Sequence, residues 1–540
     1  MIDVDVLVVG AGPVGLTAGS ELQRRGIGCR VVDRLRARQP FAKAVGVQPR
    51  TLEIWDRMGM VREALETAIP LKGQLLYVNG EEQGRVDLTL PADVPYAFAA
   101  LPQYETERLL EELLVRLGGR VERGTELVSF EQDDGEVRAR LALASGGTEE
   151  VRARYLVGCD GAHSVVRKGL GLAFEGAALP EEYMLGDVEV DWDLPFGYTV
   201  RSSHVVDRRT DDLLVCIPLP GLRRYRMSML TPPELSQARQ TGKDEVVHGL
   251  SGDRGPQPGL EHIQAVLDRL SPVPTTASSL RWSSVFRISH RLVDRYGQGR
   301  VFVAGDAAHI HPPTGAQGMN TGVQDAYNLA WKLAAAVRGR AGAGLLASYD
   351  SERRPVGEEV VRRTVRHARS GIQSDPDDPA TMMRREAQLL VGYRGSPVVG
   401  PDGTAHDGPA PGDRAPDCGG LEYGLASFPV RLFTLLRGRD HTLLLYADDE
   451  EQPARFDEVA AAAGRAAPGL LNACAVLAPK ARAPWLRLPA VHDGLDEFRS
   501  MYGARGGEAI LVRPDGYLGL RITPATGPQL RSYLEMLVGT

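Results

Sequence analysis

After Ile2–Val9, where alternation gives way to a continuous apolar run, the chain enters Gly10-Ala11-Gly12-Pro13-Val14-Gly15. A helical pattern follows, with Leu16, Ala18, Gly19 and Leu22 on one side, and stops at Gly26. Cys29–Val32 then reads as a second strand ending at Asp33. Few folds accept this order. A buried parallel strand, a glycine turn, a helix and another strand make a βαβ crossover. The glycines have separate duties: Gly10 permits the turn, Gly12 lets backbone approach a pyrophosphate, and Gly15 lets helix pack on strand. The helix N-terminus offers amides and partial positive charge to that pyrophosphate. Asp33 would accept from ribose hydroxyls and repel a 2′-phosphate, so the expected occupant is the ADP half of FAD or NAD. Pro13, Val14 and Arg34 complete the candidate set here.

A second nucleotide-style element spans residues 299–333, GRVFVAGDAAHIHPPTGAQGMNTGVQDAYNLAWKL. The β-branched run Val301–Ala304 ends on Gly305-Asp306, a Pro- and Gly-rich turn follows, and then a long amphipathic helix. Together the two elements point to a flavin dinucleotide held at both ends, and a flavin with an open face can activate oxygen. No other Gly-x-Gly-x-x-Gly occurs, and no Cys-x-x-Cys; both facts weigh against two-domain disulfide reductases.

The net charge of −7, with no long run of either sign, gives no nucleic-acid or anionic-membrane surface. The five scattered cysteines fit a reducing compartment, and the absence of a cleavable leader or a membrane-length apolar run fits a cytoplasmic enzyme. His309-x-His311 invites a metal reading, but the pair lies in a turn with no third ligand of suitable spacing, so no metal is expected.

Strand-rich patterns recur at 73–99, where Asn79-Gly80 marks a hairpin, and at 177–280. Tyr104–Leu117 carries a leucine stripe, Tyr155–Cys159 is a buried strand ending at Asp160-Gly161, and 396–417 reads as a linker. The expected division is an α/β nucleotide-binding domain from 1–72, 100–176 and 281–395, a β-sheet substrate domain from 73–99 and 177–280, and a C-terminal α/β domain from 396–540.

With Cys159-Asp160-Gly161-Ala162-His163-Ser164-Val165-Val166-Arg167 between the other two motifs, the chain resembles group A flavoprotein aromatic hydroxylases over nearly its whole length. The likeness implies a Rossmann-like FAD domain of the p-hydroxybenzoate hydroxylase type, a β-sheet substrate domain and a thioredoxin-like C-terminal domain. The last would be structural or oligomeric, since it lacks Cys-x-x-Cys. It further implies that Asp306 contacts the ribityl or pyrophosphate region and that Gln103 touches the flavin chain, with Arg108 and Lys43 weaker matches. Asp160 and Gly161 would serve FAD and the nicotinamide donor. Amides near Gly318, Met319 and Asn320 would face the flavin pyrimidine, and Pro312 and Pro313 would wall the oxygen-reacting side. The implied reaction uses FAD, NADPH or NADH, and dioxygen, and hydroxylates a phenolic or polycyclic aromatic, polyketide-like substrate through a C4a-hydroperoxide.

No acid or base is assigned; the protein's part is to exclude water and orient the ring. Tyr198, Met227, Met229, Trp282 and Phe286 are pocket candidates, with ordinary core the favoured role for each. Baeyer–Villiger or epoxidising oxygenation, a flavin-bound sequestering protein without turnover, and an amine or sugar oxidase are the alternatives. The expected state is monomer or homodimer.

Overall fold

The computed structural model describes residues 2–207, 209–236, 257–370, 377–401, 407–426 and 428–539. The expected segments 177–280, 281–395 and 396–417 include 237–256, 371–376 and 402–406, which lie outside the described residues.

At the centre of the first layer Thr148–Gly158 pairs in parallel with Val4–Val9 on one side and Val301–Val303 on the other; Cys29–Asp33 continues the parallel run beyond Val4–Val9. Register places Val9 beside Gly158 and Val32, and Gly158 beside Val303. Thus Gly10, Asp160 and Gly305, far apart in sequence, leave neighbouring strands at the same sheet edge. The carboxyl ends of parallel strands are where open α/β sheets bind ligands. Val6, Leu7, Val8, Leu156, Val157, Val301 and Val303 are buried, as continuous apolar strands covered by helices require. The helices Pro13–Arg24 and Gly318–Val337 pack on one another across this layer.

The second layer is an eight-stranded sheet built on the long antiparallel pair Phe174–Val190 and Ala277–Val293. The strand Ala277–Val293 runs across the boundary expected at 280/281, so its C-terminal half belongs to this sheet too. Gly73–Val78 and Glu81–Asp87 form the expected hairpin on its far edge; Asn79 (φ 52°) and Gly80 (φ 81°) both take positive φ, the requirement of a tight type I′ turn. Helix Leu260–Leu270 covers one face of this sheet and buries Met184, Met227, Met229, Cys216 and Val200.

The C-terminal unit holds a six-stranded sheet. His441–Ala447, Leu471–Leu477 and Ala490–Asp493 run parallel, and Glu508–Val512 and Leu518–Ile522 close one side antiparallel. Its cysteines, Cys418 and Cys474, are buried free thiols. Among the described residues no helix is long and apolar enough to cross a membrane.

Candidate active site

Packing separates the three turn glycines. A Cβ on Gly10 (φ +100°) would lie 2.3 Å from the Cys159 carbonyl oxygen, and one on Gly15 would lie 1.8 Å from the Gly10 carbonyl oxygen. Among the described residues nothing lies within 4 Å of a Cβ placed on Gly12, and its backbone is extended (φ −75°, ψ −177°). Two glycines are therefore closed by backbone, and the third faces a gap at a helix N-terminus. The first intrahelical hydrogen bond runs from the Leu16 amide to the Gly12 carbonyl (2.9 Å), which leaves the Val14 and Gly15 amides without helix partners. Asp33 accepts from the Ala11 and Leu35 amides, each at 2.7 Å, and so holds the turn while standing beside the gap. Arg34 is exposed at the same strand end. An open cradle, unpaired amides and an adjacent carboxylate fit a diphosphate and its ribose.

Gly305 and Gly322 both press on Val14; a Cβ on either would come within 2.8 Å or 2.7 Å of its Cγ2. Asp306, half-buried, faces Lys43 Nζ at 3.7 Å. The loop is anchored by Asp325, a residue that sequence reasoning passed over as part of a core helix. Asp325 accepts from the Gly305 amide (3.2 Å) and from Arg353 Nε (2.7 Å), and pairs with His309 Nε2 (2.8 Å). Burial alone would raise its pKa, but Arg353 and then His309 hold it below the ordinary carboxylate range. Nothing in the sequence set Asp325 apart, since Gln324, Asn328 and Lys332 share the helix with it. His309 is thus committed to Asp325. His311 stacks on it (6.2 Å between ring centroids), contacts the Pro312 carbonyl through Nδ1 (2.9 Å), and has its pKa pushed down to about 4 by burial and by His309. Among the described residues no group of three or more His, Cys, Asp or Glu could hold a metal ion.

The long helix starts at Gly318, and its first intrahelical hydrogen bond joins the Thr321 amide to the Gln317 carbonyl (2.9 Å). The amides of Gly318, Met319 and Asn320 precede that bond. The Asn320 side chain is fully occupied: Oδ1 accepts from the Gln48 amide (2.9 Å) and Thr51 Oγ1 (2.7 Å), and Nδ2 donates to the Gly46 (2.9 Å) and Ala316 (2.7 Å) carbonyls. Only its amide is left for a ligand. Pro312 is buried and Pro313 exposed.

At the middle motif, Asp160 caps the short helix Val165–Gly169 by accepting from the Val165 (2.7 Å) and Val166 (3.2 Å) amides. Arg167 is buried. It donates to the Ala307 (3.2 Å) and Ala162 (2.8 Å) carbonyls and lies over the Phe174 ring, so it ties this motif to the Gly305 turn. Gln103 begins helix Gln103–Arg116; its carboxamide accepts from the Ala44 amide (3.2 Å) and donates to Glu107 (2.9 Å), whose pKa burial raises to about 7. Arg108 is spent on Glu105 and Glu112 along its own helix, so the structure does not bring it to the site.

Strand alternation sorts the pocket candidates. Tyr198, Met227 and Met229 point into the core under helix Leu260–Leu270. Trp282 and Phe286 remain half-buried; Trp282 stacks on Phe41 (5.3 Å) and Phe286 packs on Tyr183 (5.8 Å). The Phe41 loop also carries Lys43, so the Phe41–Trp282 stack lies on the loop that reaches Asp306.

Residues 3–364 match the family model described as an FAD binding domain. A flavin-dependent monooxygenase of Mycobacteroides abscessus is 32% identical over 99% of the chain and 100% of its own length. The 6-methylpretetramide 4-monooxygenase of Streptomyces rimosus is 33% identical over 96% of the chain and 90% of its own. Among solved structures, aklavinone-11 hydroxylase in ternary complex with FAD and aklavinone superposes with a TM-score of 0.79 at 26% identity, covering both chains completely (100% each).

Proposed function

The chain belongs to the FAD-binding-domain family of flavin-dependent aromatic monooxygenases, and from that membership we propose its reaction: electrons from NADPH or NADH and one oxygen atom of dioxygen are used to hydroxylate a phenolic or polycyclic aromatic, polyketide-like substrate. FAD is the cofactor and dioxygen the co-substrate. When bound, FAD supplies the redox chemistry and the activation of oxygen.

The residues do the rest. Gly12, with the Val14 and Gly15 amides, would take the diphosphate, and Asp33 the adenosine ribose. Gly10, Pro13 and Arg34 shape that end, while Asp160 and Gly161 hold the neighbouring strand end. Asp306, steadied by Lys43, would meet the ribityl chain near Gln103. The Gly318, Met319 and Asn320 amides would face the ring's pyrimidine edge, where a helix start opposes negative charge in a site shielded from water. Pro313 would border the reacting face, and the Phe41, Trp282, Tyr183 and Phe286 wall would orient a flat substrate. No side chain is asked to act as acid or base.

One observation carries this reading: Gly12 faces open space between two glycines that backbone closes. The test is to purify the protein, record its visible spectrum, and follow NADPH and NADH consumption against phenols and aromatic polyketides, with product structure by NMR. A yellow protein whose substrate-stimulated oxidation yields a ring-hydroxylated product is expected. A protein that takes up no FAD, or one that never consumes reduced nicotinamide, contradicts it; a ring-expanded lactone product would instead assign Baeyer–Villiger chemistry.

A further inference from the structure

The turn Arg513-Pro514-Asp515-Gly516 of the C-terminal unit leaves its own sheet and enters the FAD-binding layer. Asp515 Oδ2 accepts from Asn328 Nδ2 (2.9 Å) and Trp331 Nε1 (3.1 Å), and the Pro514 carbonyl accepts from the Tyr327 hydroxyl (3.2 Å). All three partners lie on helix Gly318–Val337. Glu352 grips the same turn through both terminal nitrogens of Arg513 (2.7 Å and 2.8 Å) and also takes Lys332 Nζ (2.7 Å); these side chains are fully buried. The other side of the turn faces helix Pro49–Met58. Arg50 donates to the Asp515 carbonyl (2.9 Å) and Arg57 to the Pro514 carbonyl (3.3 Å). The residues at the start of that helix, Gln48 and Thr51, hold Asn320.

A triangle results. One turn grips two helices, and the two helices meet where the Gly318–Asn320 amides open. Buried ion pairs add little stability over apolar packing of the same volume, but they fix one geometry and resist any other. Asn328 lies about 13 Å along the axis from Met319 at the helical rise per residue, and a hydrogen-bonded helix carries an axial shift over that length.

We propose that the C-terminal unit positions the flavin-facing helix start: its 513–516 turn sets the register of helix Gly318–Val337 and so the aim of the Gly318, Met319 and Asn320 amides. The inference rests on the reading, made above, that these amides face the flavin. Asp515 and Arg513 are positioning residues, since neither reaches the proposed FAD site itself.

The test compares Asp515→Ala and Asp515→Asn with wild type as FAD-loaded enzymes, reading the two-electron midpoint potential of the flavin, FAD dissociation and the melting temperature. Misaimed amides stabilise reduced flavin less, so Asp515→Ala should lower the preference for reduced over oxidised FAD about tenfold, a fall of about 30 mV. Asp515→Asn keeps an acceptor for Asn328 and Trp331 and should recover most of it. The sign separates positioning from direct electrostatics, because removing a buried negative charge would by its field alone raise the potential. A potential that rises, or one that stays at the wild-type value while melting falls, overturns the proposal. If Asp515→Ala does not fold, Tyr327→Phe removes one bond to the turn and is read instead: a smaller fall supports the proposal and no change overturns it. The reduced wild-type spectrum tests the underlying reading separately. An anionic reduced flavin at a pH where free reduced FAD is neutral supports it, and a neutral one overturns both.

Discussion

The two ends of the proposed FAD site are built by opposite means. The glycine turn is made of backbone: Gly10 and Gly15 are closed by carbonyl oxygens of Cys159 and Gly10, and all of it but Cys159 lies in one short stretch of chain. The helix start at Gly318 is aimed by side chains drawn from distant segments, through Asn320 with Gln48 and Thr51, Gln317 with Gln388, Asp325 with Arg353, and Asn328 with Asp515. The first end is rigid because there is no room; the second is rigid because many partners agree. The first should fail sterically and completely, the second by degrees.

The largest break expected is Gly15→Val. A side chain there meets the Gly10 carbonyl at the root of the crossover, so no soluble folded protein should be recovered; a folded variant with a wild-type circular dichroism spectrum would mean the turn is softer than its packing implies. Next is Asp325→Ala, which strands buried Arg353 and should cost about 3–5 kcal/mol. Chemical denaturation measures it, and a loss under about 1 kcal/mol would show that the network at the second end shares its load differently. Asp306→Ala touches a half-exposed carboxylate whose neighbour is Lys43, so melting of the apoprotein should barely change while FAD retention falls markedly; normal flavin occupancy after gel filtration would misplace the ribityl contact.

Acid should weaken the second end before the first. His311 is buried neutral with its pKa near 4, against 6.5 for the free imidazole. The unfolded chain therefore binds the extra proton first, and stability present above about pH 6.5 is lost as pH falls toward 4. Melting temperature across that window should drop more in wild type than in His311→Gln, and parallel curves would refute the assignment. The smallest effect is reserved for Arg108→Ala. Its ion pairs are partly exposed and local, so stability should move by no more than about 0.5 kcal/mol and FAD affinity not at all.

The contrast also explains what the sequence could show. Gly10–Gly15, the Asn79-Gly80 hairpin and the strands ending at Asp160 and Gly305 were legible because turn chemistry and strand alternation act over a few residues. Parallel pairing then brought the three motifs to one edge. The fastening of the second end was not legible. Asp325 meets Arg353, and Asp515 meets Asn328, only after the chain has folded, and a helix buried on every side from Asn320 to Ala334 hides its polar residues among apolar ones. Tyr198, Met227 and Met229 fall on the core face, the role favoured for each, but alternation predicts two faces without saying which of them turns away from the core.

The most direct measurement is FAD binding to Gly12→Val apoprotein. Its extended backbone and the open space beside it mean the substitution should leave secondary structure and apoprotein melting at wild-type values, while equilibrium titration of FAD finds no binding at concentrations that saturate wild type. A Gly12→Val protein that binds FAD as wild type does would place the diphosphate elsewhere and contradict the account.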